Sequence, residues 1–203
     1  MPKAYTHVSV HYEQIWLKNK DFFAKFKINL ITLTNKFYKH IRAMMKKYAM
    51  GIDIGGTNTA FGLVDEDGNV IAESKISTDK FKHFDDYKPY IETLAAAMKG
   101  LIASQPECDL IGIGIGAPNA NIHSGRIETP ANLWKFEDPT DPRPDSIRVF
   151  NFVDDLGKHF PGAKVMITND ANAAAIGEMV FGNARGMKDF AMITLGTGLG
   201  SGI

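Results

Sequence analysis

The chain has 203 residues, one cysteine and a formal net charge of zero, with 44% hydrophobic and 23% charged residues. That is the length and composition of a soluble globular protein with room for one sizeable core. A lone Cys108 excludes an intramolecular disulfide and a cysteine-built zinc site, and no run approaches the roughly 18 apolar residues that a spanning helix requires.

The neutral total conceals opposed parts. Residues 1–47 carry ten Lys/Arg against two acids, Glu13 and Asp21, whereas the remainder carries thirteen against twenty-one, a net of minus eight. Such a contrast marks an appended segment. Residues 1–44 are basic and aromatic, without a clean heptad or a helix-turn-helix pattern. Three readings stay open: an arm that binds nucleic acid or membrane, a folded accessory piece, or leader sequence ahead of the true start. Met44-Met45-Lys46-Lys47 precedes the first strong strand as an initiator would, and a start at Met44 or Met45 is favoured. The apolar run 22–31 is broken by lysines and no small-residue cleavage site follows it, so a secretory signal is not expected and the expected compartment is the cytoplasm.

Tyr48 to Asp65 predicts a β-hairpin, two apolar runs around a Gly55-Gly56-Thr57-Asn58 tip whose glycines tolerate positive φ. A strand ending in Asp53 and followed by glycines sets a carboxylate beside unhindered backbone N–H groups, a seat for a magnesium-bound phosphate. It is not a Walker loop, since no Gly-Lys-Ser/Thr follows, and not a dinucleotide fingerprint, since a strand comes next. Residues 65–69 predict a turn and Val70–Ile76 a third antiparallel strand, completing a meander.

After Asp85-Asp86, residues Ile91, Leu94, Ala95, Met98, Leu101 and Ile102 recur at helical spacing up to about Ser104. Leu110–Gly116 is a near-continuous apolar run and predicts a parallel strand buried on both faces. Ala117-Pro118-Asn119 leaves its C-terminal end, where ligands gather in open α/β sheets. The stretch that follows, through Asn132-Leu133-Trp134 and Pro139, Pro142 and Pro144, predicts a long polar loop of the functional kind. Asp145 is expected to cap a helix running to about Phe160, and Ala163–Thr168 to form another buried strand. Asn169-Asp170 then opens an alanine-rich helix from Ala171 to Phe181, stopped by Gly182. A last strand, Phe190–Leu195, runs into a second glycine tip, residues 196–202.

Two glycine-rich tips, each after a buried strand, could face one polyphosphate from opposite sides. Asp170 stands at a predicted helix N-terminus, where the macrodipole stabilises a carboxylate. An ionised carboxylate there can accept a hydroxyl proton as that oxygen attacks phosphorus, a step worth about 10²–10⁴-fold. Asn169 and Asn132 are amides suited to reading sugar hydroxyls. The plainer alternative is that Asn169 or Asp170 merely caps the helix. The six histidines, His7, His11, His40, His83, His123 and His159, show no ligand spacing.

Asp53-Ile-Gly-Gly-Thr-Asn-Thr, Gly114-Ile-Gly-Ala-Pro, Thr168-Asn-Asp-Ala-Asn-Ala-Ala-Ala and Leu195-Gly-Thr-Gly-Leu-Gly-Ser-Gly resemble the successive signatures of the repressor/open-reading-frame/kinase (ROK) family, most of all its bacterial glucokinases. The resemblance runs from about Met45 to Ile203. It implies an α/β, ribonuclease-H-like, actin-like ATPase fold, a mixed sheet with flanking helices, of two domains closing over ATP and a hexose. Residues 1–44 would be an extension, 45–168 the small domain with the first phosphate loop, and 169–203 an incomplete start of the large domain. By resemblance, Asp53 positions Mg²⁺ through water, Gly55, Gly56, Thr57 and Asn58 line the first phosphate loop, and Gly196, Thr197 and Gly198 form the second. Asp170 would be the base acting on the sugar hydroxyl, the 6-hydroxyl of glucose, with Asn169 and Asn132 holding neighbouring hydroxyls.

Asn119 departs from the family, standing where many members have glycine. The family's remaining sugar contacts, zinc motif and adenine pocket lie beyond the second loop, so the 203-residue chain alone is expected to phosphorylate sugars poorly, positioning being much of the rate. Expected partners are a hexose and, by family resemblance, a second copy in a homodimer, with no nucleic acid and no membrane. Two alternatives to a glucokinase are a kinase for N-acetylglucosamine, mannose or fructose, and a non-catalytic sugar-sensing repressor of the same family.

Overall fold

The computed structural model describes residues 32, 34–37, 39, 40, 42, 45–130, 133, 134, 148–195 and 199–202. Residues 1–45 and 46–203 form two compact units. In the first, residues 32, 34–37, 39, 40 and 42 are helical, and the three readings of the extension rest largely on residues outside the described set. Among the described residues no helix is long and apolar enough to cross a membrane.

The second unit is built on a five-stranded sheet. Strand β1 (Lys46–Ile54) buries Tyr48, Met50, Ile52 and Ile54 and leaves Ala49, Gly51 and Asp53 on the other face, the period of two that a pleated strand imposes. Strand β2 (Asn58–Val64) returns antiparallel with Thr59, Phe61 and Leu63 buried, and β3 (Val70–Ser77) pairs antiparallel beyond it. This is the predicted meander. Helix α1 (Lys88–Ala103) follows, with Pro89 in its first turn and Tyr90, Ile91, Leu94, Ala95 and Met98 on its buried stripe. Strand β4 (Cys108–Ala117) then pairs parallel with β1. Chain reversal through β5 (Ala120–Asn121), β6 (Arg126–Glu128), β7 (Val149–Phe150) and helix α2 (Phe152–Gly157) leads to β8 (Lys164–Asn169), parallel to β4. The strand order is β3-β2-β1-β4-β8. Helix α3 (Asp170–Val180) leaves β8 directly, and β9 (Met192–Leu195) and β10 (Leu199–Gly202) form an antiparallel pair.

Several expectations are corrected. Strand β4 is buried on both faces only at its carboxyl end, Ile115–Ala117; before that Ile113 points into the core while Gly114 is exposed, and Ile111, at the bulge opposite Tyr48 and Ala49, is 44% exposed. Its Ile-Gly-Ile-Gly run is a large-small alternation, one face filled by isoleucine and the other reduced to backbone. Strand β8 is likewise half open, with Ile167 buried and Met166 exposed. Of the helix expected from Asp145 to Phe160, residues 145–147 lie outside the described set, and among the described residues it forms over Phe152–Gly157. Just before it, Val149 and Phe150 pair with Glu128 and Ile127, and the Asn151 N–H donates to the Tyr87 hydroxyl at 3.1 Å, which holds this stretch extended.

The expected long polar loop after Pro118 is partly structured and partly core. Strands β5 and β6 form a short hairpin there, and Ile127, Leu133 and Trp134 are buried. Trp134 stands edge-on to Phe150 at 5.2 Å between ring centres, and Phe150 stacks on Tyr87 at 4.3 Å. Asn119, where the resemblance leads one to expect glycine, adopts φ 55°. That left-handed conformation is one that asparagine tolerates better than other residues with a side chain. Its amide also donates to the Thr129 carbonyl at 2.9 Å, which ties the two ends of the 119–129 loop together.

Candidate functional site

The site lies at the carboxyl ends of the three parallel strands. Asp53 of β1 is level with Gly116 of β4, and Gly116 with Thr168 of β8. Alternation along β1 turns Asp53 away from the main core, toward the face from which α3 starts. Gly116 makes that start possible. A Cβ there would lie 3.2 Å from the Ala173 Cβ and 3.5 Å from the Asp170 Cα, so the first turn of α3 rests on bare backbone. The sequence motif contained Gly116 but gave it no role; its signal is glycine at every second position of β4.

Asp53 and Asp170 are thereby brought within electrostatic reach. Burial first, and the Asp170 charge second, push the Asp53 carboxyl above the ordinary carboxylate range. An acid whose folded pKa exceeds its unfolded one holds its proton more tightly when folded, so its stabilising effect is present at low pH and lost as pH rises through the raised value. Asp53→Asn is therefore expected to melt higher than wild type near neutral pH in divalent-free buffer, the difference shrinking toward about pH 4. Calorimetry across that range measures it, and a lower melting point at neutral pH would overturn the coupling.

Asn169 is the N-cap of α3, its Oδ1 accepting the Ala171 N–H at 3.0 Å, while Asp170 Oδ1 accepts the same N–H at 2.8 Å. Capping and ligand binding are compatible here, because the cap uses one oxygen of each side chain. The Asn169 Nδ2 and the second Asp170 oxygen have no hydrogen-bond partner among the described residues.

The first glycine tip closes by a Gly55 N–H bond to the Asn58 carbonyl at 3.0 Å. Positive φ among described glycines occurs at Gly68, Gly125 and Gly186, so the tip turns without a left-handed residue, contrary to expectation. Gly55 is needed for close approach instead: a Cβ would stand 3.0 Å from the Asn58 carbonyl oxygen. The Gly56 and Thr57 N–H groups have no acceptor among the described residues, the condition for an anion cradle.

Of the second tip, Gly196, Thr197 and Gly198 lie outside the described residues, as does Asn132. Their flanks are described. Gly200 and Gly202 of β10 lie against α3, where a Cβ on Gly202 would stand 2.6 Å from the Ala171 carbonyl oxygen and 2.7 Å from the Ala175 Cβ. On either side of Asn132, Pro130 is buried and its carbonyl accepts the Leu133 and Trp134 N–H groups at 2.8 and 2.7 Å.

Among the described residues no group of three or more His, Cys, Asp or Glu gathers as a metal cage. Two neighbouring carboxylates beside the free N–H groups of the Gly55–Asn58 tip are nevertheless of the kind that suits Mg²⁺, which is held by one or two carboxylates with phosphate and water filling the octahedron.

The ROK family model matches residues 49–203. A glucokinase of Streptomyces coelicolor is 32% identical over 154 residues, covering 76% of this chain and 42% of the relative. A xylose repressor of Bacillus subtilis is 28% identical, covering 77% of this chain and 37% of its own length. Among solved structures, a ROK family glucokinase from Streptomyces griseus in complex with glucose and AMPPNP superposes with a TM-score of 0.57 at 31% identity, over 76% of this chain and 43% of that one. The chain spans less than half the length of each. The sheet order and flanking helices are those of the actin-like ATPase fold.

Proposed function

Because the chain belongs to the ROK family, we propose that it takes part in ATP-dependent phosphorylation of a hexose, glucose being the acceptor suggested by its glucokinase relatives. The observation that carries this reading is the register that sets Asp53 level with Gly116, on which the Asp170 turn of α3 rests, beside the Gly55–Asn58 tip.

In this reading the Gly56 and Thr57 N–H groups receive phosphate oxygens of ATP. Asp53 would hold Mg²⁺, through water, and the ion would neutralise charge on the transferred group. Asp170 takes the proton from the sugar hydroxyl as its oxygen bonds to the terminal phosphorus and the bond to the departing ADP oxygen breaks. Asn169 and Asn132 orient neighbouring hydroxyls, and Gly196, Thr197 and Gly198 close on the nucleotide from the other side. We divide the chain accordingly into an extension, 1–44, a small domain, 45–168, and the beginning of a large domain, 169–203. The expected setting, a cytoplasmic homodimer without nucleic-acid or membrane partners, is proposed on family likeness.

A coupled ADP-release assay with Mg-ATP and a panel of glucose, mannose, fructose and N-acetylglucosamine tests the proposal. It is run on the 203-residue chain and on a version extended to the length of the glucokinase relatives, which is expected to turn over faster. Failure of the extended form to release ADP with any of these sugars would overturn it. The repressor relatives motivate one control: sequence-specific DNA binding that depends on residues 1–44, seen by gel shift, would favour a regulator instead.

A further inference from the structure

We propose that Tyr90 is a positioning residue for nucleotide binding, aiming the Gly55–Asn58 tip through a buried relay of hydroxyls; the proposal rests on that tip being a phosphate loop. Thr59 occupies a core position of β2, in line with Phe61 and Leu63, where the alternation calls for an apolar side chain. A hydroxyl there is costly unless it is bonded. Its Oγ1 lies 2.8 Å from the Thr78 Oγ1 and 2.6 Å from the Tyr90 hydroxyl. The three residues are 0%, 0% and 1% exposed and come from β2, the turn after β3, and α1.

Valine and phenylalanine would fill the places of Thr59 and Tyr90 at similar volume, so packing does not explain the hydroxyls. Their neighbours do. The Thr78 N–H donates to the Thr57 carbonyl at 2.9 Å and the Asp79 N–H donates to the same oxygen at 3.2 Å. Thr78 therefore holds the β2 side of the tip twice, by its backbone at Thr57 and by its hydroxyl at Thr59, one residue past the tip. Tyr90 fixes that arrangement from α1, and its ring is itself packed against Phe81 at 5.5 Å and Trp134 at 6.1 Å between ring centres. Burial pushes the phenol's pKa up, so the relay keeps its proton. The outcome is a tip whose N–H groups are set before nucleotide arrives, which lowers the cost of binding.

The test compares Tyr90→Phe, Thr59→Val and the double variant with wild type in the version extended to the length of the glucokinase relatives. Mg-ATP affinity is measured by titration calorimetry and amide hydrogen exchange residue by residue. Tyr90→Phe is expected to weaken Mg-ATP about tenfold. Exchange at Thr78 and Asp79 should quicken by about as much, while Met50 and Ile113 at the strand centres are unchanged. The double variant should be no weaker than the worse single one, since both changes break one relay. Wild-type affinity in Tyr90→Phe overturns the proposal alone, as does a uniform rise in exchange across the strands, which would mark a merely structural role. No Mg-ATP binding by wild type overturns the phosphate-loop reading and this proposal with it.

Discussion

In the extended protein, Asp170→Asn is expected to lower kcat for the proposed hexose phosphorylation by about 10²–10⁴-fold, the range lost when a positioned general base is removed. The substitution is well matched to the question. Asparagine retains an Oδ1 that can accept the Ala171 N–H, as Asp170 does at 2.8 Å, and the Asn169 cap is untouched, so the first turn of α3 is kept and the melting temperature should not fall. The hexose KM should likewise stay near wild type, because the proton is taken only as the phosphorus–oxygen bond forms. A second readout needs no turnover. Part of the upward shift of the Asp53 carboxyl comes from the Asp170 charge, so the variant should return Asp53 toward the ordinary carboxylate range, visible in its carboxyl carbon resonance during an NMR pH titration. Wild-type turnover in the coupled assay would remove Asp170 from the chemistry; an unmoved Asp53 titration would remove the coupling.

Trp134→Ala destabilises the second unit by about 3–5 kcal/mol, the usual range for deleting a large buried aromatic. The ring is wholly buried between Tyr90 and Phe150, and its Nε1–H donates to the Phe84 carbonyl at 2.8 Å. The melting temperature should fall by on the order of 10 °C for a unit of this size. Trp134→Phe keeps most of the packing but leaves the Phe84 carbonyl without its donor, at about 1–3 kcal/mol. Because Leu133 and Trp134 anchor the chain beside Asn132, the proposed sugar contact, both variants should raise the hexose KM more than they lower kcat. Denaturant melts and a hexose titration together check this. An alanine variant as stable as wild type would mean that the aromatic layer does not fasten the loop.

The elements that the sequence made legible are those with local causes. Tyr48, Met50, Ile52 and Ile54 alternate strictly, and the strand follows. The α1 stripe repeats every three to four residues, and the helix follows. Misreadings arose where the cause is distant. Val149 and Phe150 are extended because Glu128 and Ile127, about twenty residues earlier, offer them a ladder, and no pattern within residues 145–160 records this. The glycines of β4 read as apolar and suggest burial along both faces, whereas Gly114 faces open space and only Gly116, under Asp170's helix, is covered. Trp134 reads as part of a polar loop until Tyr90, Phe150 and Phe84 are seen around it.

The site shows the same division. Each of Asp53, Gly55–Asn58 and Asn169-Asp170 was marked by its own motif. Their meeting depends on β4 lying between β1 and β8, which periodicity does not encode. The hydroxyls of Thr59, Thr78 and Tyr90 went unremarked because each residue alone is ordinary for its element, and only the fold sets them within 3 Å of one another along the chain of contacts.

Helix α3 meets its neighbours through the smallest side chains: Ala173 on Gly116, and Ala171 and Ala175 on Gly200 and Gly202. Long side chains act as shock absorbers, since a change of rotamer takes up a small slip between packed elements. Alanine against glycine has no such travel. The helix is therefore geared to both sheets without backlash, and any tilt of it carries β9 and β10 together with the Asp170 carboxylate.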